Sequence, residues 1–234
     1  MPQFSVLEQE KLKVLKDKIG SKLNESPQFP DVIGDRKLIR FLRGHDYDIE
    51  KVSQMVTHYL DWRRDHNINE IRQKIVLGGC DCPATFPKAD ITLKYIPQAV
   101  MLPYARDNSG SPISVEKFNF SPSELLKHIS IPEYITFLIY CLEYKQIIVE
   151  QLSEEADRAY LASLSEEQRA VALSNSTDLP PYGHIVGLCI VRDLVSLTIY
   201  PYLKHTHTRQ YISYTIYCTI HYTILYRRVS DSSI

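Results

Sequence analysis

The feature that most constrains the fold is a pair of neighbouring amphipathic segments between residues 35 and 66. The first segment is predicted to form a helix over Arg36–Arg43, with Asp35 as its N-cap and Gly44 as the residue that ends it. The second is predicted to begin at Asp48, with apolar residues three or four positions apart. The apolar positions are Leu38, Ile39, Phe41 and Leu42 in the first segment and Ile49, Val52, Val56, Tyr59 and Trp62 in the second. Because an apolar helix face must be covered, the two helices are expected to pack together.

A further helix is predicted near the N-terminus. Ser5 and Glu8 have the spacing of a capping box, and Gly20 is suited to end the helix. The apolar positions between them are Leu12, Leu15 and Ile19. The sequence therefore predicts a compact helical module over residues 1–75.

Turn-forming residues interrupt every periodic pattern between residues 78 and 87, so this stretch is predicted to be a linker. Beyond it, two extended apolar segments, 99–104 and 112–117, flank the turn-rich residues 107–110. This order is typical of a β-hairpin.

The following part of the chain alternates helical and extended patterns. A short helix is predicted to begin at Ser121, a long and largely buried helix to span Ile131–Gln151, and a polar surface helix to lie within 153–175. Ile185–Val191 is a continuous apolar run, which is typical of a strand buried on both faces. Strands separated by helices favour the α/β fold class.

The last residues, 204–234, have a different character. A Thr-Ile pair recurs every four residues at 215, 219 and 223, and charged residues are few. The pattern lacks a designed amphipathic face and is typical of low-complexity, aggregation-prone sequence. We therefore expect an aberrant tail rather than a native structural element.

Composition argues against several functional classes. The chain has 27 Lys and Arg against 28 Asp and Glu, which disfavours nucleic-acid binding because that requires a basic surface. Five Cys are an odd number for a disulfide framework and indicate reduced thiols. The N-terminal residues lack the apolar core of a signal peptide, so we expect a cytoplasmic protein.

The sequence also lacks the common nucleotide-binding and nucleophile motifs, so we predict a protein that is not an enzyme and needs no cofactor or metal. Cys80 and Cys82 are closer together than zinc-binding pairs, and His184 is predicted to be a loop residue rather than a catalytic base. A basic cluster is predicted to lie on a solvated helix face. Its members are Arg36, Lys37, Arg40 and Arg43.

Two stretches of the helical module, Asp35–Val52 and Tyr59–Arg64, resemble the N-terminal module of the CRAL-TRIO lipid-binding family, of the secretory-pathway phosphatidylinositol-transfer type. Downstream, Asp107–Ile113 resembles the family's hairpin, and Val191–Leu197 resembles the end of one of its strands. Leu142–Tyr144 resembles the segment that carries a Glu on the family's long helix.

The resemblance implies an α/β fold in which the helical module is followed by a partial lipid-binding domain over residues 90–203. The sequence leaves the family pattern after Leu203, which indicates a C-terminally truncated member. The implied function is to hold a hydrophobic small molecule or phospholipid in a pocket and to exchange it during transient contact with a membrane surface. The oligomeric state stays open.

The candidate pocket residues are apolar side chains of the predicted strands and of the long helix. They are Val100, Leu102, Ile113, Val115, Phe137, Leu188 and Ile190. Against an acyl chain, each of the last two would contribute about 1.5–3 kcal/mol on burial. The alternative for any one of them is that it packs against a helix in the core.

Two departures from the family bear on the ligand. His45 and Asp46 stand where phosphatidylinositol-binding members carry a basic pair, and Leu188 and Ile190 stand where phosphatidylcholine-binding members carry hydroxyls. We therefore expect apolar area, rather than a contact with an inositol phosphate, to select the ligand. The alternative function is a regulatory protein-interaction module on the same scaffold, without an exchangeable ligand.

Overall fold

The computed structural model describes residues 4–24, 28–80, 82–95, 98–99, 106–107, 111–117, 122–174 and 183–193. This part of the chain is mostly helical and contains one small sheet. Its helices are α1 Val6–Ile19, α2 Asp35–Gly44, α3 Ile49–Asp65, α4 Ile68–Leu77, α5 Ala89–Tyr95, α6 Pro122–Leu125, α7 Ile131–Ser163 and α8 Glu166–Ser174. Its strands are β1 Gln98–Ala99, β2 Ile113–Lys117 and β3 Cys189–Asp193. The predicted tail lies outside the described residues.

The interior of α1, α2 and α3 is apolar, as their periodic patterns predict. Leu38 and Leu42 of α2 pack with Val52 and Val56 of α3, and all four are fully buried in one cluster. The cluster also contains Leu12, Leu15, Ile19, Ile39, Phe41, Tyr59 and Leu60. The predicted packing of the two helices between Asp35 and His66 is therefore confirmed. We call α1, α2 and α3 the N-terminal module.

The helix ends follow local capping chemistry. The Ser5 hydroxyl accepts from the backbone N–H of Glu8 at 3.2 Å, and the Glu8 carboxylate accepts from the backbone N–H of Ser5 at 2.8 Å. The predicted capping box is thus confirmed, and Asp48 caps α3 as predicted. The prediction for Asp35 was wrong by one position, because Gly34 is the N-cap and Asp35 is the first helical residue.

The stretch between residues 78 and 87 is more than the predicted linker. Pro83–Thr85 forms a short 3-10 turn, and Phe86 is only 3% exposed. The Phe86 ring contacts α7, with its centroid 5.3 Å from that of Tyr140 and 6.2 Å from that of Phe137. Because Phe86 lies in a turn-rich stretch without hydrophobic periodicity, its packing against α7 was not predicted from the sequence.

The long helix is longer than predicted. The sequence pattern divided it near residue 152, whereas α7 runs without a break through 33 residues to Ser163. Ser153 does not end the helix because its hydroxyl donates to the Val149 carbonyl at 2.7 Å, one turn earlier. The predicted surface helix is therefore divided between the end of α7 and α8.

The three strands form one sheet in the order β1–β2–β3. β1 pairs antiparallel with β2, as expected for the predicted hairpin, and β2 pairs parallel with β3. β3 begins at Cys189 rather than at Ile185. The reason is that the backbone N–H of Val186 bonds to Ser153 and its carbonyl accepts from Arg40, so neither group pairs with a strand. The described part of the sheet is small, and the complete α/β fold stays a prediction.

Candidate functional site

The register of β2 and β3 divides the sheet into two faces. Val115 pairs with Val191, and Ser114 pairs with Ile190. Because successive residues of a strand alternate between faces, positions 113, 115 and 191 share one face and positions 114 and 190 share the other. The candidate pocket positions on β2 and β3 therefore do not all lie on one side of the sheet.

The two faces differ in burial. Ser114 is fully buried, whereas Ile113 next to it is only partly covered. Leu188, just before β3, is 8% exposed. Of the two β2 side chains whose burial is described, Ser114 is thus turned towards the interior and Ile113 is the more accessible one. We call the face that carries Ile113 the open face.

Of the remaining candidate pocket residues, Phe137 lies among helices instead. Phe137 is fully buried in a core cluster with Phe86 and Tyr140, between α4, α5 and α7. Val100 and Leu102 lie outside the described residues. For Val115 and Ile190 the structure gives the backbone and register only. The burial of Phe137 and Leu188 is therefore equally explained by the alternative, in which they pack in the core.

Charged residues of α2, α3 and α4 face charged residues of α7. We call this contact the ionic seam. Its cationic members are Arg36, Lys37, Arg40, Arg63 and Arg72, and its anionic members on α7 are Glu143, Glu150 and Asp157. The sequence analysis predicted a solvated face for the basic residues of α2. That prediction was wrong for Lys37, which is 3% exposed, and for Arg36 and Arg40, whose side chains are largely covered.

Glu143 is the centre of the seam. Its carboxylate accepts from Arg63 Nη1 at 2.7 Å, from Arg63 Nη2 at 3.2 Å and from Arg72 Nη1 at 3.0 Å. Burial alone would raise the pKa of Glu143, but the two guanidinium groups outweigh it and lower the pKa. Arg72 also pairs with Asp31, and Arg63 donates to Tyr59 Oη at 3.1 Å. Glu143 is the acidic residue that the family resemblance singled out.

Lys37 lies at the same contact but has a weaker partner. Its Nζ is 3.3 Å from Oε1 of Gln146 and 4.9 Å from the ring centroid of Tyr59. Burial, with the nearby charge of Arg40, lowers the pKa of Lys37 to about 7, although Glu143 opposes the shift. No motif signals this residue, because a lysine on a helix is usually solvated.

Arg36 and Arg40 join α2 to the distal half of α7. Arg36 pairs with both Glu150 and Asp157, and Arg40 Nη1 lies 3.7 Å from Glu150 Oε2. These pairs bridge more than one hundred residues of sequence. The seam therefore fixes α7 relative to the N-terminal module.

Other features of the described residues are weaker candidates for a ligand site. A groove of about 210 Å³ lies between α1 and α3, lined by Lys18, Ile19, Ser53, Gln54, Thr57 and His58. It is smaller than the ~300–1,000 Å³ of typical ligand pockets. Within the described ranges, no helix is long and apolar enough to cross a membrane, and no group of three His, Cys, Asp or Glu side chains is placed to hold a metal ion.

Comparison with known proteins gives several relatives. The chain is 29% identical over 142 residues to Protein real-time of Aedes aegypti, a match that covers 60% of this chain and 19% of that protein. It is 28% identical over 112 residues to the phosphatidylinositol/phosphatidylcholine transfer protein SFH11 of Arabidopsis thaliana, covering 47% of this chain and 27% of the relative. A second Arabidopsis thaliana protein with the same description, SFH12, is 26% identical over 101 residues, or 43% and 16% of the two chains.

The matched segments make up no more than 27% of these relatives' own length. No protein-family model matches the chain. Homology at 25–29% identity over about half of the chain supports the relationship to the CRAL-TRIO family that the motifs indicate.

Proposed function

We propose that the chain binds a phospholipid or a similar hydrophobic molecule and transfers it between membranes. The observation that carries this proposal is the match to four phosphatidylinositol/phosphatidylcholine transfer proteins of Arabidopsis thaliana. These relatives are described as carriers rather than as enzymes, in agreement with the absence of a catalytic motif from the sequence. The chain would act in the cytoplasm and touch membrane surfaces transiently.

The open face of the sheet is the proposed ligand surface. Ile113 is partly exposed, and the register puts the apolar positions 115 and 191 on the same face. An acyl chain lying across such positions would remove apolar area from water, at about 25 cal/mol per Å². Ser114 itself is buried, so the face that carries it is the less suitable one.

The charges of α2 support a ligand chosen by apolar area. Arg43 Nε is 2.6 Å from Glu8 Oε1, and Arg40 donates to the Val186 carbonyl at 3.3 Å, so both have protein partners. Asp46, with a positive φ of 52°, stands at the position of the family's basic pair and would repel a phosphate. We therefore propose that apolar area selects the ligand, rather than a contact with the phosphate of phosphatidylinositol.

Lipid extraction tests the proposal directly. Purified protein is extracted with organic solvent, and the extract is analysed by mass spectrometry for a lipid at a fixed molar ratio. Transfer of fluorescent phosphatidylcholine and phosphatidylinositol between vesicles then gives the preference. We expect the two lipids to be transferred at similar rates, because the residues that select either headgroup in the family are replaced here. Transfer of phosphatidylinositol at the rate of a full-length family member would contradict the proposed selection.

Two variants locate the ligand. Ile113→Glu places a charge on the open face and should lower binding of fluorescent phosphatidylcholine by about tenfold or more. Val171→Glu is the matched control, because Val171 on α8 is 58% exposed. If neither co-purified lipid nor binding of the probe is found with the wild-type protein, the regulatory interaction module without an exchangeable ligand becomes the better description.

A further inference from the structure

The six residues before β3 are held to α7 by side-chain hydrogen bonds. Asp157 Oδ1 accepts from the backbone N–H of His184 at 2.9 Å and lies 2.7 Å from its ring Nδ1. Two residues later, the backbone N–H of Val186 donates to the Ser153 hydroxyl at 3.1 Å. Asp157 is 5% exposed and Ser153 is fully buried, so both bonds are shielded from water.

The same six residues also contact the N-terminal module. Arg40 of α2 donates to the Val186 carbonyl at 3.3 Å. The Phe4 ring packs against Gly183 so closely that a Cβ at Gly183 would lie 2.4 Å from Phe4 Cζ. The segment entering β3 thus has α7 on one side and the start of the chain and α2 on the other.

Asp157 connects these two sets of contacts. While Oδ1 holds His184, Oδ2 pairs with Arg36 of α2. Because Oδ1 is an acceptor beside the imidazole, Nδ1 carries a proton and donates it to Asp157. One buried carboxylate therefore bonds at once to α2 and to the segment that enters β3.

We propose that Asp157 is a positioning residue through which the N-terminal module sets the place of strand β3. The proposal rests on the proposed function to the extent that β3 belongs to the ligand-binding sheet. A carboxylate at position 157 satisfies donors from both sides. A side chain lacking one oxygen leaves His184 without its partner or leaves Arg36 with Glu150 alone. The expected consequence of its loss is a displaced β3 in an otherwise folded N-terminal module.

Nuclear magnetic resonance of the full chain tests this with Asp157→Ala and Asp157→Asn. In Asp157→Ala, we expect amide exchange in β3 and in β2 to rise by about tenfold, while amides of α3 keep wild-type exchange. The His184 Nδ1 proton, held by a carboxylate in the wild type, should lose its hydrogen-bonded resonance. Asp157→Asn keeps an acceptor for His184 and should restore part of the protection. Glu155→Gln, on the exposed side of the same helix, is the matched control.

A variant in the N-terminal module tests the connection to it. Arg40→Lys removes the contact of Arg40 with the Val186 carbonyl, and we expect it to raise exchange in β3 by about threefold. The proposal is overturned if Asp157→Ala leaves β2 and β3 exchange unchanged. It is equally overturned if exchange rises uniformly in α1, α3 and β3, because that result means general destabilisation.

Binding of fluorescent phosphatidylcholine separates this inference from the proposed function. If the wild-type protein binds the probe, Asp157→Ala should weaken binding by about tenfold and Asp157→Asn by less. If the wild-type protein does not bind it, the proposed function fails, while the exchange data still decide whether Asp157 positions β3.

Discussion

The interior of the N-terminal module and the ionic seam are held together by different interactions. The side chains that form this interior bury only apolar surface. They are Leu38, Leu42, Val52 and Val56. Each stabilises the fold through its buried area, and an apolar side chain of similar volume could replace it at little cost. The seam buries charges instead, with Glu143 between Arg63 and Arg72. Removing charges from water offsets much of their attraction, so such a contact defines position more than it adds stability. The apolar interior therefore builds the N-terminal module, and the seam places α7 on it.

The largest expected effect is in the apolar interior. Leu42→Asp puts a carboxylate at a fully buried position and should lower the free energy of unfolding by more than about 4 kcal/mol. Urea denaturation followed by fluorescence of Trp62, on α3, measures it. Val14→Asp, at a position 51% exposed on α1, is the control and should cost less than about 0.5 kcal/mol. Similar denaturation midpoints for the two variants would show that the interior is not packed as described.

A smaller effect is expected when the seam loses its central carboxylate. Glu143→Leu leaves Arg63 and Arg72 buried without their shared partner and should cost about 3 kcal/mol. The triple variant that adds Arg63→Met and Arg72→Met removes the charges as well. We expect it to recover most of the lost free energy, since apolar residues often replace buried ion pairs without loss. A triple variant as unstable as Glu143→Leu would mean that the charges themselves stabilise the fold.

Lys37 gives the seam a pH dependence. The pKa of Lys37 is about 7 in the folded state and near 10.5 when it is exposed, so between these values the unfolded chain holds the proton more tightly. Stability therefore rises with pH across this range, and Lys37→Met removes that dependence. At pH 6.5 we expect Lys37→Met to be more stable than wild type by about 2 kcal/mol, because methionine carries no charge to bury. The gain is smaller than the full cost of burying the charge, since the contact of Lys37 with Tyr59 offsets part of that cost. Thermal unfolding from pH 6.5 to 10 should show the two proteins converging. A difference in stability between the two proteins that does not change with pH would contradict the lowered pKa of Lys37.

The smallest effect is at the edge of the module. Ser5→Ala removes the hydroxyl that caps α1 and should cost about 1 kcal/mol. Ser5→Asp keeps a capping acceptor and should restore most of the stability. If Ser5→Ala and Ser5→Asp melt at the same temperature, the capping bond contributes nothing measurable.

The difference between the apolar interior and the ionic seam also explains what the sequence could predict. The apolar stripes of α1, α2 and α3 repeat with the period of the helix, so burial of Leu38 or Val56 follows from local pattern. The pairing of Arg36 with Asp157 joins residues more than one hundred positions apart, and no periodicity signals it. Glu143 was identified through the family resemblance, whereas Lys37 was predicted to lie on a solvated helix face and is buried.

The sheet shows a third kind of limit. The run Ile185–Val191 predicted a strand in the right region, but its start depends on Val186, whose backbone groups bond to Ser153 and Arg40. The face on which a candidate pocket residue lies depends on register, which a one-residue shift reverses. The sequence therefore indicated the strands but not which of Ile113, Leu188 and Ile190 share a side.

Amide hydrogen exchange of the wild-type protein and of Glu143→Leu separates the role of the apolar interior from that of the seam. If the apolar interior builds the module and the seam places α7 on it, exchange in Glu143→Leu should rise about tenfold or more in the buried part of α7 and in α4. Amides of Leu38–Leu42 and Val52–Leu60 should then stay close to wild-type protection. An equal loss of protection in α2, α3 and α7 would contradict the account, because it would mean that the seam holds the module itself together.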